Sequence, residues 1–321
     1  MSLTLEIGLQ DNKPAIKSYK TELSQYLSDL THPLEVLEIS HRRKELTDIL
    51  LDLTETTQLS LLCDESETLD HLFDGLLQLR KEKRPLYKRF QKEINGKTRD
   101  LAVPQKPLDL FLRNYAGPII NQAECHAQAH GGENNWSLTE SIKTHLPIGI
   151  ALSFDLSQAF KNTHLQYVFD FYYSLIYKKT RDKKTSTDLA GFLATVSTVY
   201  YRDGGYALPQ GSNIATKLFN RLLYPIDESL SNYAKNRNLT YTRWIDDFIL
   251  ASKDRDKTNK ELIEATNIVQ PYFPLSEKKT FLQRDKPVYL LGQKIVDCWI
   301  TKATTKEIQS KNPMKSTTHY L

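Results

Sequence analysis

The stretch Tyr241-Thr-Arg-Trp-Ile-Asp246-Asp247-Phe-Ile-Leu250 constrains this chain more than any other. Runs of aromatic and β-branched residues flank two adjacent acids, and the acids leave room only for a tight turn between two strands. A second run, Ile148 to Phe154, is apolar and followed at once by Asp155, an acid at the end of a buried strand. If these strands are neighbours in one sheet, three carboxylates converge. Like charges repel at short range, so such a cluster calls for cations. Mg²⁺ prefers oxygen ligands, and Mn²⁺ suits the same set. Two such ions about 3.5–4 Å apart clamp the attacking and leaving oxygens of a phosphoryl transfer.

Charge along the chain points to the other reactant. Residues 1–79 carry a net charge of −9, whereas residues 80–321 carry +13. A body of that sign favours a polyanion, of which nucleic acid is the commonest. The acidic front segment has the wrong sign for a phosphate backbone and is expected to dock elsewhere. Cys63, Cys125 and Cys298 are too scattered for a disulfide framework or a zinc site, which favours a reducing cytoplasm. No apolar run of membrane-spanning length occurs, and the N-terminus lacks the pattern of a secretory signal.

Periodicity predicts three helices in the acidic segment, over about 13–31, 33–54 and 66–83. Two short strands then surround Asn95-Gly96, a hairpin turn signal. A helix is expected to about 122 and another over 136–145. Beyond the Asp155 strand, helices are expected at 163–177 and 186–199. The loop Arg202–Gly211 leads to a long helix at 212–235. The Asp246-Asp247 hairpin, a helix at 258–271 and a hairpin at 280–299 complete the order. Mixed elements in this order predict an α+β fold with an antiparallel sheet.

Taken together, these segments resemble the reverse transcriptases of prokaryotes, found in retrons, group II introns and phage-defence systems. Asp155 to Phe160 resembles motif A of the palm, Leu208-Pro-Gln-Gly-Ser212 motif B, and Tyr241 to Asp247 motif C, with Trp244 in place of the usual tyrosine. Lys278-Lys279-Thr280 resembles motif D, and Leu290-Leu-Gly292 the hairpin that grips the primer. Gly96-Lys-Thr-Arg99-Asp-Leu-Ala-Val-Pro104 resembles the fingers hairpin. The likeness covers about residues 80–296. The Asn-Ala-x-x-His and Val-Thr-Gly signatures of retrons are missing, which favours a defence-type relative over a retron proper.

The resemblance implies a right-hand polymerase. Residues 1–79 would form an acidic helical segment, 80–147 the fingers, 148–296 the palm and 297–321 a short tail, with a minimal or absent thumb. It implies catalytic Asp155, Asp246 and Asp247 holding two Mg²⁺ ions, with Mn²⁺ as a substitute, and Lys279 near the leaving pyrophosphate. Arg99, with Lys92 or Lys97, would contact the triphosphate. Phe160 would lie beneath the sugar 2′ position, Gln210 and Gly211 would line the nucleotide and template pocket, and Trp244 would support the primer end. The implied partners are an RNA template, a DNA or RNA primer, dNTPs, and a non-coding RNA, a second protein or another copy, with no membrane. The implied activity is RNA-directed DNA synthesis in antiviral defence. Template-independent synthesis on the same palm, or a silent RNA- or partner-binding scaffold, are the alternatives.

Overall fold

The structure, a computed structural model, describes residues 34–38, 40–54, 69–94, 96–132, 135–257, 259–284 and 286–304. The helix expected at 13–31, Cys63, and residues 305–321 of the expected tail lie outside them. Among the described residues are eleven strands: β1 Tyr87–Ile94, β2 Lys97–Pro104, β3 Ile150–Asp155, β4 Val199–Tyr201, β5 Gly205–Ala207, β6 Thr240–Trp244, β7 Asp247–Ser252, β8 Phe281–Gln283, β9 Val288–Leu290, β10 Gln293–Val296 and β11 Trp299–Lys302. Helices and strands are mixed, and the sheets pair antiparallel throughout, as expected for an α+β chain. They fall into two compact units. One contains the described residues up to Glu124 together with Phe160–Leu222, the other Cys125–Ala159 together with the described residues from Leu223 onward.

In the first unit, β1 and β2 pair from Tyr87↔Pro104 to Ile94↔Lys97, with Gly96 between the strands. Gly96 has φ +70°, the positive value that a two-residue hairpin loop demands. Helix Leu69–Lys81 buries Leu69, Leu72, Phe73, Leu76 and Leu79 on one face, at three- and four-residue steps. Phe73, Phe111 and Phe192 meet with centroids 5.6–6.1 Å apart. The helix expected to 122 is present as Lys106–Phe111, a π turn at Leu112–Ala116, and Gly117–Asn121. Pro118 has no N–H to give an α-helical bond, and the wider turn accommodates it. Phe169, Phe171, Tyr172 and Tyr173 of helix Leu165–Thr180 are buried, so that aromatic stripe is core. The loop expected at Arg202–Gly211 instead contains β5, which pairs with β4 in a hairpin.

The second unit is built on a four-stranded sheet of order β6-β7-β3-β8. Alternation gives this sheet two different faces. Ile150, Leu152, Phe154, Phe248, Leu250, Tyr241 and Arg243 point to one face, and all are 3% exposed or less. Helices Tyr224–Asn236 and Asn259–Val269 pack there, on β6 and β3. Ala151, Ile249 and Ala251 point to the other face, where they join Ile142, Ile148, Val288, Leu290 and Ile295 in a second cluster. Asp155 and Asp247 share that second face.

Two expectations are corrected here. The long helix at 212–235 is two helices, Ala215–Leu222 and Tyr224–Asn236. A continuous helix would need a donor from residue 225 to the Arg221 carbonyl, and Pro225 has none. The single hairpin at 280–299 is also replaced. β8 joins the large sheet, while β9, β10 and β11 form a separate three-stranded meander.

Candidate active site

β3 and β7 pair in a register that places Asp155 directly opposite Asp247, and β6 places Trp244 opposite Asp247. The loop joining β6 to β7 is therefore Ile245-Asp246, two residues long. The Asp246 carbonyl accepts from the Leu156 N–H at 3.1 Å, which ties the loop to the end of β3. Carboxylate oxygens of Asp155, Asp246 and Asp247 lie within 4.8 Å of one another. No other group of three or more His, Cys, Asp or Glu among the described residues could hold a metal ion.

The environment of Asp155 is costly. It is 2% exposed, and its Oδ1 is buried without a hydrogen-bond partner. Burial, and next the charge of Asp246, push its carboxyl up from 3.8 to about 6. Lys279 acts in the opposite sense by pairing its Nζ with Asp155 Oδ2. Burial would lower the Lys279 pKa, but Asp155, Asp247 and Asp246 more than offset this and keep the ammonium charged. Backbone contacts deliver the lysine. Ser276 N–H donates to the Asp155 carbonyl at 2.8 Å, and Ser157 N–H to Pro274 at the same distance. Segment 274–276 thus lies antiparallel along residues 155–157, and the turn Glu277–Lys279 follows it. Three crowded carboxylates, an orphaned buried oxygen and an all-oxygen donor set fit a hard divalent cation.

Arg243, whose role the sequence leaves open, and Asp227, which sequence reasoning missed, hold this loop from beneath. Both side chains are fully buried. Arg243 donates to Asp227 through Nε at 2.8 Å and through a terminal nitrogen at 2.6 Å. Its other terminal nitrogen donates to the Ile245 carbonyl at 2.6 Å. Tyr241 Oη donates to Asp227 at 2.5 Å. Burial opposes the Arg243 charge, and Asp227 outweighs burial and raises its pKa. Ile245 has φ +60°, a left-handed value that costs a β-branched residue about 1–3 kcal/mol. Gly131 closes the other side. A Cβ there would meet Ile245 N at 2.5 Å and Trp244 C at 2.7 Å, so only glycine fits.

The histidines that the sequence assigned no role are packed. His130 stacks on Trp136 at 3.7 Å, and His145 bonds Thr242 at 2.7 Å. Burial lowers them to about 4 and about 3.

The remaining candidate residues lie in the first unit. Lys92 and Arg99 are directly opposite on β1 and β2, both exposed. Neither has an ion pair or hydrogen bond among the described residues. Like charges in that position repel, so an anion between them would be stabilising. Lys97 pairs through its backbone with Ile94, and its side chain lies outside the described residues. The Gln210 carbonyl accepts from Ala102 N–H at 2.7 Å. Gly211 has φ +115°, and a Cβ there would press on Ala102 O and Val103 at 3.2 Å. The Pro-Gln-Gly turn is therefore clamped to β2. Phe160 is half-buried and stacks on Phe219 with centroids 5.2 Å apart.

The chain is similar to known proteins. Residues 111–295, more than half of the chain, match the family described as Reverse transcriptase (RNA-dependent DNA polymerase). Over 212 residues the chain is 26% identical to the Retron Ec86 reverse transcriptase of Escherichia coli, covering 62% of this chain and 58% of that one. Over 163 residues it is 27% identical to the Retron Mx162 reverse transcriptase of Myxococcus xanthus, covering 48% of this chain and 33% of that one. The chain thus spans 58% of the first relative's length and a third of the second's. At these identities the match shows the family and not the subclass. A solved structure of telomerase from Candida albicans, in complex with a TWJ fragment of telomeric RNA, superposes with a TM-score of 0.50 at 12% identity. That superposition covers 73% of this chain and 48% of that one, a likeness of fold alone.

Proposed function

The chain belongs to the reverse transcriptase (RNA-dependent DNA polymerase) family, and from that premise we propose that it extends a DNA or RNA primer with dNTPs on an RNA template. The observation that carries this reading is the carboxylate cluster of Asp155, Asp246 and Asp247, with its orphaned Asp155 Oδ1. These three would hold two Mg²⁺ ions, which supply charge stabilisation of the phosphoryl transfer when bound. Lys279, held charged beside the acids, carries the proton destined for the leaving pyrophosphate. Arg99, with Lys92 or Lys97, binds the triphosphate, since a guanidinium offers paired donors to phosphate oxygens. Gln210 and Gly211 line the nucleotide and template pocket, and Trp244 supports the primer end. In this reading residues 80–147 are the fingers, 148–296 the palm, and 1–79 a docking segment for a partner. The setting proposed is cytoplasmic antiviral defence with a structured non-coding RNA. No helix among the described residues is long and apolar enough to cross a membrane.

Primer extension on RNA, on DNA and without template tests the proposal. Product copied from the RNA strand is expected. Untemplated product of equal yield would replace this reading with template-independent synthesis. The same assay tests the sugar gate. Phe160→Ala removes the ring proposed to clash with a 2′-hydroxyl, and ribonucleotide incorporation relative to deoxyribonucleotide is expected to rise about 10–100-fold. Unchanged discrimination would leave Phe160 as a partner of Phe219 only.

Metal binding is expected to depend on pH with a defined sign. The folded chain holds the Asp155 proton more tightly than an ordinary carboxyl, because the pKa is raised from 3.8 to about 6. Without metal, stability therefore falls as pH rises across that window and stays lowered above it. A divalent ion must displace the proton below about 6, so its affinity should fall about tenfold per pH unit there. Mn²⁺ titration by electron paramagnetic resonance at pH 5 and pH 7.5 reads this directly. Equal affinity at both values would remove Asp155 from the ligand set.

A further inference from the structure

β6 is an outer strand of the large sheet, and an irregular segment covers its open edge. Arg243 N–H donates to the Gln128 carbonyl at 2.8 Å. The Arg243 carbonyl accepts from His130 N–H at 2.8 Å and from Gly131 N–H at 3.3 Å, and Ala129 bridges Arg243 in parallel. Covering a sheet edge accounts for these bonds. It does not account for the next contact. A Cβ on Gly131 would come within 2.8 Å of Ile245 N, Trp244 C and Trp244 Cα, so the Gly131 backbone rests on the catalytic turn itself. Ile245, which it touches, is the residue held at φ +60° beside Asp246.

Side chains on a short helix hold this contact in place. His130 is 1% exposed, and its Nδ1 lies 2.9 Å from Oγ of Ser141, which is fully buried on helix Leu138–Lys143. The Trp136 ring lies flat on the imidazole, with centroids 3.7 Å apart and planes 10° from parallel. At 37% exposure Trp136 is not a core residue. Its own place is set by Ser137, which caps the helix through a reciprocal pair of bonds with Glu140. Just past the other end of the helix, His145 bonds Thr242 of β6 at 2.7 Å. The helix is therefore tied to β6 at Thr242 directly and at Arg243 through His130.

We infer that His130 and Trp136 are positioning residues for the catalytic turn. Their stack, backed by Ser141, holds Gly131 against Trp244 and Ile245, and this wall fixes where Asp246 stands beside Asp155 and Asp247. A left-handed β-branched residue relaxes unless its surroundings over-determine it, and Gly131 supplies that constraint on the side away from Arg243. Neither ring touches the three carboxylates, so both act through the backbone. The effect on rate rests on the polymerase reading, whereas the effect on the turn rests on this geometry alone.

The test uses the full chain and two variants that spare the core. Trp136→Ala removes the stack, and Trp136→Phe restores a flat ring. Amide hydrogen exchange in EDTA, without nucleotides, is followed in peptides spanning 126–132, 241–247 and 150–155. Trp136→Ala is expected to speed exchange about tenfold in the first two and to leave 150–155, on β3, unchanged. Trp136→Phe is expected to exchange like the wild type. Primer extension with Mg²⁺ should show kcat about tenfold lower for Trp136→Ala at unchanged KM for primer–template, since displaced reacting groups cost rate and not binding. Ser141→Ala, which keeps the stack and removes the bond to Nδ1, should move both readouts the same way by about threefold. Wild-type exchange at 241–247 in Trp136→Ala would overturn the inference. So would equal acceleration in all three peptides, which would make the stack general packing, or a raised KM with kcat and exchange unchanged, which would make Trp136 a nucleic-acid contact. If the wild type itself failed to extend primers, the polymerase reading would fall, and exchange alone would decide whether the stack holds the turn.

Discussion

Asp246→Asn is expected to reduce primer extension at least about a thousandfold while the fold stays as stable as the wild type or becomes slightly more so. The substitution keeps the shape of the side chain and removes one of three charges that would hold the metal ions. Several kcal/mol of transition-state charge stabilisation then disappear, and each 1.36 kcal/mol is about a factor of ten. The backbone role of residue 246 survives, because the Leu156 N–H bonds its carbonyl and not its side chain. Stability moves the other way because the charge of Asp246 is one cause of the raised Asp155 pKa. Removing it relieves repulsion that Lys279 offsets only in part without metal. Single-turnover extension with Mg²⁺, paired with a thermal melt of the metal-free protein, reads both. Extension above a few per cent of wild type would exclude Asp246 from the metal site, and a large drop in melting temperature would mean that the residue is structural.

Legibility in the sequence followed the range of each interaction. The hairpins expected around Asn95-Gly96 and Asp246-Asp247 were readable because turn chemistry and alternation are local, although the second turn falls one residue earlier, at Ile245-Asp246. The convergence of Asp155 on Asp246-Asp247 needed one assumption, that their strands are neighbours, and the β3–β7 register supplies it. The break at Leu223 was legible in principle from Pro225, but apolar periodicity on both sides masked it. Gly131-Gly132 marks a loop in the sequence, yet the reason for Gly131 is a backbone contact with Trp244 and Ile245, more than a hundred residues away. Asp227 gave no signal at all. Its helix reads as an ordinary amphipathic one, and only the fold shows that its carboxylate is buried opposite Arg243. An arginine alternating with tyrosine on one face of a strand was the available clue. A charge at such a position must have a buried partner somewhere.

That buried pair carries the second large effect. Arg243→Met should destabilise the chain by about 3–5 kcal/mol, because Asp227 keeps its charge with only the Tyr241 hydroxyl to answer it. Loss of stability alone would not show that the arginine positions the catalytic loop, so two further variants separate the roles. Arg243→Lys keeps the charge, but a point ammonium cannot serve both Asp227 oxygens and the Ile245 carbonyl together. Its fold should largely survive while extension slows by about tenfold or more, since the strained Ile245 loses the bond that holds it at φ +60°. Arg243→Met/Asp227→Leu replaces both buried charges with apolar groups. Such a swap commonly restores stability, because neither ion is left uncompensated. It cannot restore the bond to Ile245. The double variant is therefore expected to melt near the wild type and to extend primers as poorly as Arg243→Lys, with the deficit in kcat rather than KM. Urea melts and steady-state extension on the four proteins decide the matter. If the double variant polymerised at the wild-type rate, the pair would be packing alone, and the position of Asp246 would rest on the β3–β7 register and Gly131.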